Sequence, residues 1–527
     1  MLGYIFNKMT TSTISRTFIG NCVFDILKDT GFQREWDRLY ATTSWATIFQ
    51  ERQFVESWYY ANQQEITPIL LTVFEDDELV GLLALTTSKT NGEFQKDRSM
   101  KITGAGKFDA EYQTWIVKDG YNEIFIKNGF EALFNEFPQC KLSLRFIPDP
   151  SIIEPLKSLT SIKEKHIVLH KHHRPLMDFA LVEEQKLFRK RHLKAKYNRI
   201  HRAGQVAFSK VTEIDEFIQI LDEILVYLDF RQAAMFNKLP SKSNPNRHKF
   251  LIELFKKDLL HVTALKLDGE TISSIIGMKG KGWMHLAGLI SYSPFHSKHS
   301  PGLVHLYMLG KMLQEEGYHK FDLTPGYDGY KERFSTSGDE VVELHLSKNL
   351  KYGVKKFLRK NLHNTLVKFD VRPMSFELNM KKKIYLIKEK TKGITKSFFS
   401  ANETMASYSF PSEDAGLSVK KNSITDLLKY NDRNGLQSRW EFLERAFSLV
   451  SRGAEFYSIS DGKKLLASIW ITSDDEKPSN DESMPSIADS YFHTSFKNNN
   501  RAFENYVIES ESNRTSSEKP TSHHENS

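Results

Sequence analysis

A strand, an acidic turn and a second strand recur three times along this chain at nearly one interval. The turn residues Asp77, Asp268 and Asp461 lie 191 and 193 residues apart, and the last two precede a glycine, which is a strong short signal for a β-hairpin. The three predicted hairpins are the segments 70–87, 262–279 and 455–472. Self-similarity at a fixed period indicates a duplicated structural unit.

Each predicted hairpin follows a helical segment that carries an aromatic residue at a similar offset. The three segments are RQFVESWYY, RHKFLIELF and RWEFLERAF. The alternative is chance, because helices followed by hairpins occur in any α+β protein. Three matching parts in one order favour a duplicated α/β unit with a third, weaker copy.

The second unit is the most complete of the three. After its hairpin come a predicted strand at 282–290, a loop, a helix at 301–316 and strands at 319–324 and 341–347. This order is typical of the α+β class rather than of a doubly wound sheet. The third unit has no counterpart of the stretch FDLTPGYDGYKERF at 321–334, so we expect no chemistry there.

Composition is that of an ordinary globular protein with several domains. The 527 residues predict about two to four domains, and 40% are hydrophobic and 26% charged. Two cysteines, Cys22 and Cys140, cannot form a disulfide framework, which favours a reducing compartment. No apolar run approaches the roughly 20 residues of a spanning helix, and the first residues lack the apolar core of a secretory signal. We therefore expect a cytoplasmic protein.

Positive charge is concentrated between the second and third units. Residues 349–396 carry 14 lysines and arginines against 3 acids. Their first part, 351–368, predicts a basic helix, and the apolar residues on roughly one face of it are Tyr352, Phe357, Leu362 and Val367. Such a helix suits peripheral contact with an anionic membrane at the inner face. The alternative is a solvated linker helix.

The second unit resembles the CelD-like acyltransferases of the GNAT superfamily, associated with cellulose and exopolysaccharide biosynthesis, and more distantly the FemA/FemX aminoacyltransferases. Three pieces carry this resemblance: a basic helix in FRKRHLKAKYNRIHRAGQVAFSKV, a Ser-Pro-Gly tripeptide that opens a helix, and FDLTPGYDGYKERF, which is similar to the family's Asp-x-x-x-Gly-x-x-x-Tyr-Lys segment. In the first unit, FQERQFVESWY and ITGAGKFDAEYQTWIV also resemble family segments. The resemblance covers roughly residues 20–348.

The resemblance implies an α+β fold of tandem GNAT-like, FemAB-like domains with mixed sheets, followed by a partial third GNAT-like unit. The expected segments are an N-terminal half at 20–175, a C-terminal half with the main active cleft at 176–348, a basic helical linker at 349–396, a partial unit at 397–510 and a disordered tail at 511–527.

In GNAT-type folds, which this chain resembles, the acyl donor lies where two parallel strands splay apart, and its phosphates sit at the start of the following helix. Ser300 is expected to cap that helix, Pro301 to occupy its first position and Gly302 to let an anion approach. The family's Arg/Gln-x-x-Gly-x-Gly/Ala loop is replaced here by HSKHSPGLVHL. The expected co-substrate is acyl-CoA, in particular acetyl-CoA, with no permanently bound cofactor.

The resemblance also implies catalytic residues in the stretch after the inner strand. Asp322 is the expected base or amine anchor, Lys331 would stabilise phosphate or oxyanion charge, and Tyr330 would orient the acceptor or protonate the leaving group. Gly326 would turn the chain without blocking the cleft. The alternative is that Asp322 caps a turn, Tyr330 packs and Lys331 faces solvent.

Three further residues are expected to bind the acceptor. Asp109 and Tyr112 match the acid and the tyrosine of the family segment and would line a groove between the halves. The alternative is that Asp109 lies in the turn that enters the strand and Tyr112 is a packed aromatic residue. Arg231 would reach the cleft from a helix. The alternative is that Arg231 forms a salt bridge on the surface.

A histidine cluster and a basic helix resemble ligand-binding features, but neither is predicted to bind a ligand specifically. The clustered histidines are His166, His170, His172 and His173. No carboxylate or cysteine completes the set within this β-branched segment, so we expect no metal. The basic helix at 189–202 has a single aromatic, Tyr197, so we expect no sequence-specific nucleic-acid binding.

Three functions are compatible with these features. The first is acyl transfer from acyl-CoA to an amino or hydroxyl group of a small-molecule, nucleotide-linked or lipid-linked sugar in surface polysaccharide biosynthesis. The second is FemX-like transfer from aminoacyl-tRNA to a cell-wall precursor. We expect tRNA as a partner under this second function alone. The third is a non-catalytic GNAT-like scaffold at the membrane surface, against which the intact DLTPGYDGYK segment argues.

Overall fold

The computed structural model describes residues 13–89, 99–157, 166–397, 417–431, 437–472, 486–493, 496 and 499–517. The strands are β1 (Thr13–Ile19), β2 (Ile66–Glu75), β3 (Glu78–Ser88), β4 (Lys101–Gly104), β5 (Ile116–Val117), β6 (Lys141–Ile147), β7 (His166–Asp178), β8 (Val206–Lys210), β9 (Leu260–Leu267), β10 (Glu270–Lys279), β11 (Trp283–Tyr292), β12 (Lys320–Asp322), β13 (Ser337–Ser347), β14 (Val419–Lys421), β15 (Glu455–Ser460), β16 (Leu465–Thr472) and β17 (Ser486–Phe492).

The helices are α1 (Asn21–Ile26), α2 (Thr30–Thr42), α3 (Arg52–Asn62), α4 (Asn122–Glu136), α5 (Arg191–His201), α6 (Ile214–Phe236), α7 (Pro240–Ser243), α8 (Asn246–Lys256), α9 (Pro301–Glu315), α10 (Gly329–Phe334), α11 (Leu350–Lys368), α12 (Pro373–Ser397), α13 (Ile424–Leu427), α14 (Arg439–Ser451) and α15 (Asn500–Ser517). Short 3₁₀ turns connect several of them.

The larger sheet has thirteen strands and an internal symmetry. Its order is β1-β2-β3-β4-β6-β13-β7-β12-β11-β10-β9-β8, with β5 paired to β3. The strands from β1 to β6 on one side therefore mirror those from β8 to β12 on the other. Each half contributes its last strand to the other half. The last strand of the second half, β13, pairs with β6 of the first half, and the last strand of the first half, β7, pairs with β12 of the second half. This mixed sheet with its helices confirms the predicted α+β class.

The hairpins that recur in the sequence form the outer strand pairs of each half. At the β9–β10 turn, Asp268 and Gly269 have φ of 50° and 87°, and at the β2–β3 turn Asp76 and Asp77 have φ of 46° and 67°. Positive φ at both central residues characterises the type I′ turn, whose twist matches that of the flanking strands. Short side chains at these positions therefore determine where each strand pair reverses.

Each half contains one short parallel pair in an otherwise antiparallel arrangement. In the second half β11 and β12 pair only at Trp283–Lys320, Met284–Phe321 and His285–Asp322, after which β11 continues and β12 ends. The first half repeats this with three pairs between β4 and β6. The two strands of the second half thus diverge just beyond His285 and Asp322.

The third unit forms its own antiparallel sheet in the order β14-β15-β16-β17. It packs on α6 of the second half, where Phe230 and Ala233 join the apolar core of the third unit. Trp440 on α14 also donates a hydrogen bond of 3.0 Å to the backbone oxygen of Ala234. The helix α15 follows β17, as α9 follows β11.

The basic segment forms two helices rather than one. Asp370 adopts a positive φ of 54° and Pro373 begins α12, so the chain bends between α11 and α12. Within the described part of the chain, no helix combines the length and the apolar character that crossing a membrane would need.

Candidate active site

The last residue pair before β11 and β12 diverge is His285 and Asp322. Asp322 is fully buried, and its Oδ2 lies 2.8 Å from His285 Nδ1. Asp322 Oδ1 also accepts a hydrogen bond of 2.8 Å from the backbone N–H of Thr324. Asp322 therefore both orients the imidazole and shapes the turn after β12, and its catalytic role stays a prediction.

Two side chains from other parts of the fold complete this group. Arg174 on β7 lies between two rings, with its guanidinium carbon 5.2 Å from the centroid of Tyr112 and 5.3 Å from that of Trp283. The same guanidinium donates to both carboxylate oxygens of Asp339 at 2.6 and 2.5 Å. The ring of Tyr112 lies 5.7 Å from that of His285. We call His285, Asp322, Tyr112 and Arg174 the vertex cluster.

The charge of Asp322 is stabilised by its neighbours. Burial by itself would raise the pKa of Asp322, but the hydrogen bond to His285 and the charge of Arg174 hold it below its usual value. Burial, reinforced by the negative charge of Asp322, raises the pKa of Tyr112 well above the ordinary value. The cluster at neutral pH thus contains an aspartate, a neutral phenol and an arginine.

A cavity of about 540 Å³ opens on the vertex cluster between the two halves. Both halves and both exchanged strands contribute to its wall. The lining residues are Ser44, Trp45, Ala46, Thr47, Pro148, Asp149, Pro150, Arg174, Lys281, Trp283, His285, Asp339 and Glu340. Aromatic rings and carboxylates at one opening are suited to a polar ligand with apolar faces.

Lys331 is placed differently from the sequence-based expectation. It is 4% exposed, and its ammonium donates to the backbone oxygen and the hydroxyl of Thr324 at 3.0 and 2.9 Å and to the backbone oxygen of Pro325 at 3.3 Å. It neither faces solvent nor extends to the mouth of a cleft. Burial lowers the pKa of Lys331, an effect that Asp328 opposes most strongly. Lys331 therefore holds the loop 323–328 in place.

Gly326 belongs to the same loop and has the conformational role that was expected. Its φ is 141°, which L-residues with side chains rarely adopt. A Cβ atom there would lie 3.5 Å from the ammonium of Lys331. The glycine thus lets the loop close over Lys331.

Tyr330 and Arg231 form a second polar group near the end of β11. Burial raises the pKa of the half-buried Tyr330, and the charge of Arg231 opposes this effect. Arg231 donates a hydrogen bond of 2.6 Å to the backbone oxygen of Ile290, and its guanidinium carbon lies 5.1 Å from the ring centroid of Tyr292. Arg231 thus contacts the diverging strand rather than a surface acid.

The start of α9 differs in part from the expectation. Ser300 makes no capping hydrogen bond with its side chain, because its hydroxyl accepts from Lys196 Nζ at 2.8 Å. Pro301 is at the first helical position as predicted but is buried. Gly302 is half-buried, and a Cβ atom there would meet the ring of Tyr292 at 3.4 Å.

Basic side chains surround this helix start. Burial lowers the pKa of Lys196, and the charges of Arg199 and Arg333 lower it further. Three like charges held close together favour an anion between them. The anion site at α9 stays a prediction, and its positive charge would come from side chains of α5 and α10.

Asp109 is not part of the vertex cluster. Its carboxylate accepts a hydrogen bond of 3.1 Å from Trp58 Nε1 and forms an ion pair of 3.1 Å with Arg247 of α8. The residue therefore links the two halves, which corrects its expected role at the acceptor. Tyr112, by contrast, belongs to the vertex cluster, with its ring 5.7 Å from that of His285.

The sequence interpretation missed His285 and Arg174. His285 is a polar residue inside the otherwise apolar stretch WMHLAGL, and Arg174 is a charged residue directly before the apolar residues PLM of β7. A polar side chain at a buried strand position needs a partner, and this requirement was the signal that could have identified both.

The comparison with protein families gives a match in the second half of the chain. The sequence profile described as "Acetyltransferase (GNAT) domain" matches residues 188–332, which include α5, β11, α9 and β12. No curated protein shows a match to the sequence.

Solved structures show partial likeness. A structure of FemX is 11% identical, covers 59% of this chain and 95% of its own, and has a TM-score of 0.42. L-PGS from Bacillus licheniformis is 12% identical, with coverage of 62% and 95% and a TM-score of 0.39. A tandem GNAT protein from the clavulanic acid biosynthesis pathway is 9% identical, with coverage of 64% and 99% and a TM-score of 0.37. By the profile match, residues 188–332 form an acetyltransferase domain of the GNAT type, and the chain is an acyltransferase.

Proposed function

We propose that the protein transfers an acyl group from acyl-CoA to an amino or hydroxyl group of a sugar, or of a nucleotide-linked or lipid-linked sugar precursor, in surface polysaccharide biosynthesis. The observation that carries this proposal is the His285–Asp322 pair, 2.8 Å apart, at the point where β11 and β12 diverge. His285 of this pair also lines the cavity between the halves. A base at this position can meet an acyl donor from one side and an acceptor from the other.

His285 is the proposed general base, and Asp322 holds its ring. The imidazole accepts a proton from the acceptor N–H or O–H as that atom attacks the thioester carbonyl carbon. The tetrahedral intermediate then breaks its C–S bond, and the departing thiolate takes a proton from the Tyr330 hydroxyl, which regains one from water. Because burial raises the pKa of Tyr330, its hydroxyl stays protonated at neutral pH. Arg174 stabilises the charge of Asp322, and Tyr112 packs beside the ring of His285.

The proposed donor side lies at the start of α9. Lys196, Arg199 and Arg333 supply positive charge for the phosphates of CoA, and Gly302 leaves room beside Tyr292. Basic charge of this kind does not distinguish CoA from another phosphate-bearing carrier, so the acyl donor needs its own measurement.

The proposed acceptor is a sugar because of the cavity wall. Trp45 and Trp283 offer aromatic faces, and Asp149, Asp339 and Glu340 offer hydrogen-bond acceptors for hydroxyl or amino groups. The five side chains come from four segments of the chain, so the cavity depends on both halves.

A FemX-like aminoacyl transfer is the second candidate. The observation that favours it is the basic surface of α5 beside α9, which could also bind the phosphates of a tRNA end. Thermal shift measurements separate the two donors. Stabilisation by acetyl-CoA but not by tRNA supports the first proposal, and the opposite result supports the second.

The proposal is tested by acyl transfer from acetyl-CoA to a panel of amino sugars and nucleotide sugars. We expect His285→Asn to lower kcat by roughly 10²- to 10⁴-fold, since a positioned general base contributes on that order. The matched control is His248→Asn, because His248 also lies 2.8 Å from an aspartate, Asp222, but on the exposed surface. Unchanged turnover in His285→Asn would rule out the assigned base.

We also propose that α11 and α12 attach the enzyme to the inner face of an anionic membrane. Twelve large apolar side chains between residues 350 and 387 are exposed: Leu350, Val354, Phe357, Leu358, Leu362, Phe369, Val371, Met374, Phe376, Met380, Ile384 and Ile387. Ten of the 14 basic residues of the segment 349–396 lie among them. Apolar insertion combined with attraction to anionic lipids is the usual basis of peripheral binding. Acyl-CoA is a cytoplasmic metabolite, which favours that side.

A further inference from the structure

Three histidines from two elements converge between α11 and the large sheet. His170 and His172 are two residues apart on β7, so their side chains share one face of the strand. On that face α11 brings in His363, whose ring centroid lies 4.5 Å from that of His170 and 5.3 Å from that of His172. The first two centroids are 4.0 Å apart. One ring nitrogen of each histidine lies within 4.8 Å of the others.

The three rings share an unsatisfied atom. The Nε2 atoms of His170, His172 and His363 are all buried and have no hydrogen-bond partner. Leaving a buried polar atom unpaired costs about 1–3 kcal/mol, and His170 as a whole is only 7% exposed. Three such atoms at one place indicate a missing partner that can bind several nitrogens at once.

We propose that His170, His172 and His363 bind a Zn²⁺ ion. Imidazole nitrogen is a preferred zinc ligand, and three histidines with a fourth, open position form a recognised zinc arrangement. Tetrahedral zinc with bonds of about 2.0–2.1 Å places its ligand nitrogens about 3.4 Å apart. His363 is half-buried on a surface helix, so rotation of its side chain can close the remaining distance.

The carboxylate of Glu343 lies beside the three histidines, and its negative charge would favour a bound cation. Glu343 on β13 has one oxygen 3.7 Å from His172 Nε2 and 4.0 Å from His170 Nδ1, and its other oxygen lies 3.1 Å from His345 Nε2. Such neighbours commonly orient zinc-binding histidines. Burial, with the nearby rings of His172 and His363, lowers the pKa of His170 to about 3, so this ring has the neutral form that binds metals.

Neither Glu343 nor His363 is near the histidine-rich segment in the sequence, which is why that segment by itself argued against a metal. The sheet brings Glu343 opposite His170 in the register of β7 and β13. The helix α11 brings His363.

The ion would fasten α11 next to the loop 323–328. The ring of Tyr327 in this loop lies 5.8 Å from the ring of His363. The N–H of Gly326 donates a hydrogen bond of 3.3 Å to the backbone oxygen of His173. Zinc is therefore expected to act as a structural clamp that holds the basic helix and this loop against the sheet.

The test uses the full-length protein without a histidine tag, stripped with a chelator and titrated with Co²⁺ and then Zn²⁺. We expect one Co²⁺ per chain with the visible absorption of four-coordinate cobalt, displaced by one Zn²⁺, and a rise in Tm on adding Zn²⁺. His363→Gln should weaken Zn²⁺ binding by roughly 100-fold or more.

Two variants serve as controls. His173→Gln changes the neighbouring residue, whose side chain lies on the opposite face of β7, and should leave binding unchanged. His363→Cys keeps a zinc ligand on α11 and should retain much of the affinity, which distinguishes lost coordination from lost folding. The proposal is overturned if the wild-type protein binds no stoichiometric metal, or if His363→Gln binds as the wild type does.

Discussion

Lys331 is a buried cation whose partners are mostly backbone oxygens. A buried ammonium is tolerated only when its hydrogen bonds are made within the protein, and the three donated by Lys331 all go to Thr324 and Pro325. Lys331 therefore has a structural role, because its hydrogen bonds hold the loop that follows Asp322. The catalytic assignments of Asp322 and Tyr330 stay predictions.

Lys331→Met should destabilise this loop. The apolar stem is kept, but the oxygens of Thr324 and Pro325 lose their donor, which costs about 1–3 kcal/mol of unfolding free energy. We expect kcat to fall while KM for acetyl-CoA changes little. Steady-state kinetics and urea unfolding measure both quantities, with the exposed Lys256→Met as control. A rise in KM alone, at unchanged stability, would instead indicate that Lys331 binds phosphate.

At the scale of elements, α11 and α12 differ from every amphipathic helix that covers the sheet. Their apolar side chains face outward, and Phe357 and Leu358 are 52% and 61% exposed. The basic composition predicted a helix here, and the structure adds that the exposed apolar surface continues along α12 as far as Ile387.

Phe357→Ser combined with Leu358→Ser should weaken binding to vesicles that contain phosphatidylglycerol. Two large side chains lost from the bilayer interface correspond to a partition coefficient lower by at least roughly tenfold. Co-sedimentation measures it, and Phe108→Ser, which removes an 84% exposed aromatic elsewhere, is the matched control. Equal binding by the double variant and the wild type would contradict the proposed surface, as would insensitivity to salt.

At the scale of the whole molecule, the exchange of β7 and β13 makes one sheet of two repeated halves. Neither half can complete its pairing without the other, so we expect residues 13–347 to unfold as one cooperative unit. A titratable group buried anywhere in this sheet then affects the stability of the whole unit.

His305 on α9 should cause part of the acid sensitivity. Burial lowers its pKa to about 3 in the folded protein, against about 6.5 when unfolded. The unfolded state therefore binds the extra proton first, so stability is retained above pH 6.5 and lost as pH falls towards 3. Between pH 6.5 and pH 5 the loss is about 2 kcal/mol.

His305→Gln should remove this slope, because glutamine does not titrate. Denaturant unfolding at pH 7 and at pH 5 measures the difference, and the exposed His192→Gln is the control. An unchanged pH slope in His305→Gln would show that His305 is not the responsible group.

The sequence by itself determined the local elements and their repetition. Acidic turns, strand alternation and helix patterns act over a few to about fifteen residues, so the three hairpins, the α+β class and the basic segment could all be predicted. The GNAT resemblance added the stretch after β12 and Asp322, whose catalytic role stays a prediction.

Only the tertiary structure decided which side chains meet. Tyr112, Arg174, His285 and Asp322 come from four segments, and the exchanged strand β7 places Arg174 among them. The same packing buries Lys331, pairs Asp109 with Arg247 and places His363 beside the histidines of β7. The physical reason is that such contacts depend on the pairing of strands that are distant in sequence, which local propensity does not specify.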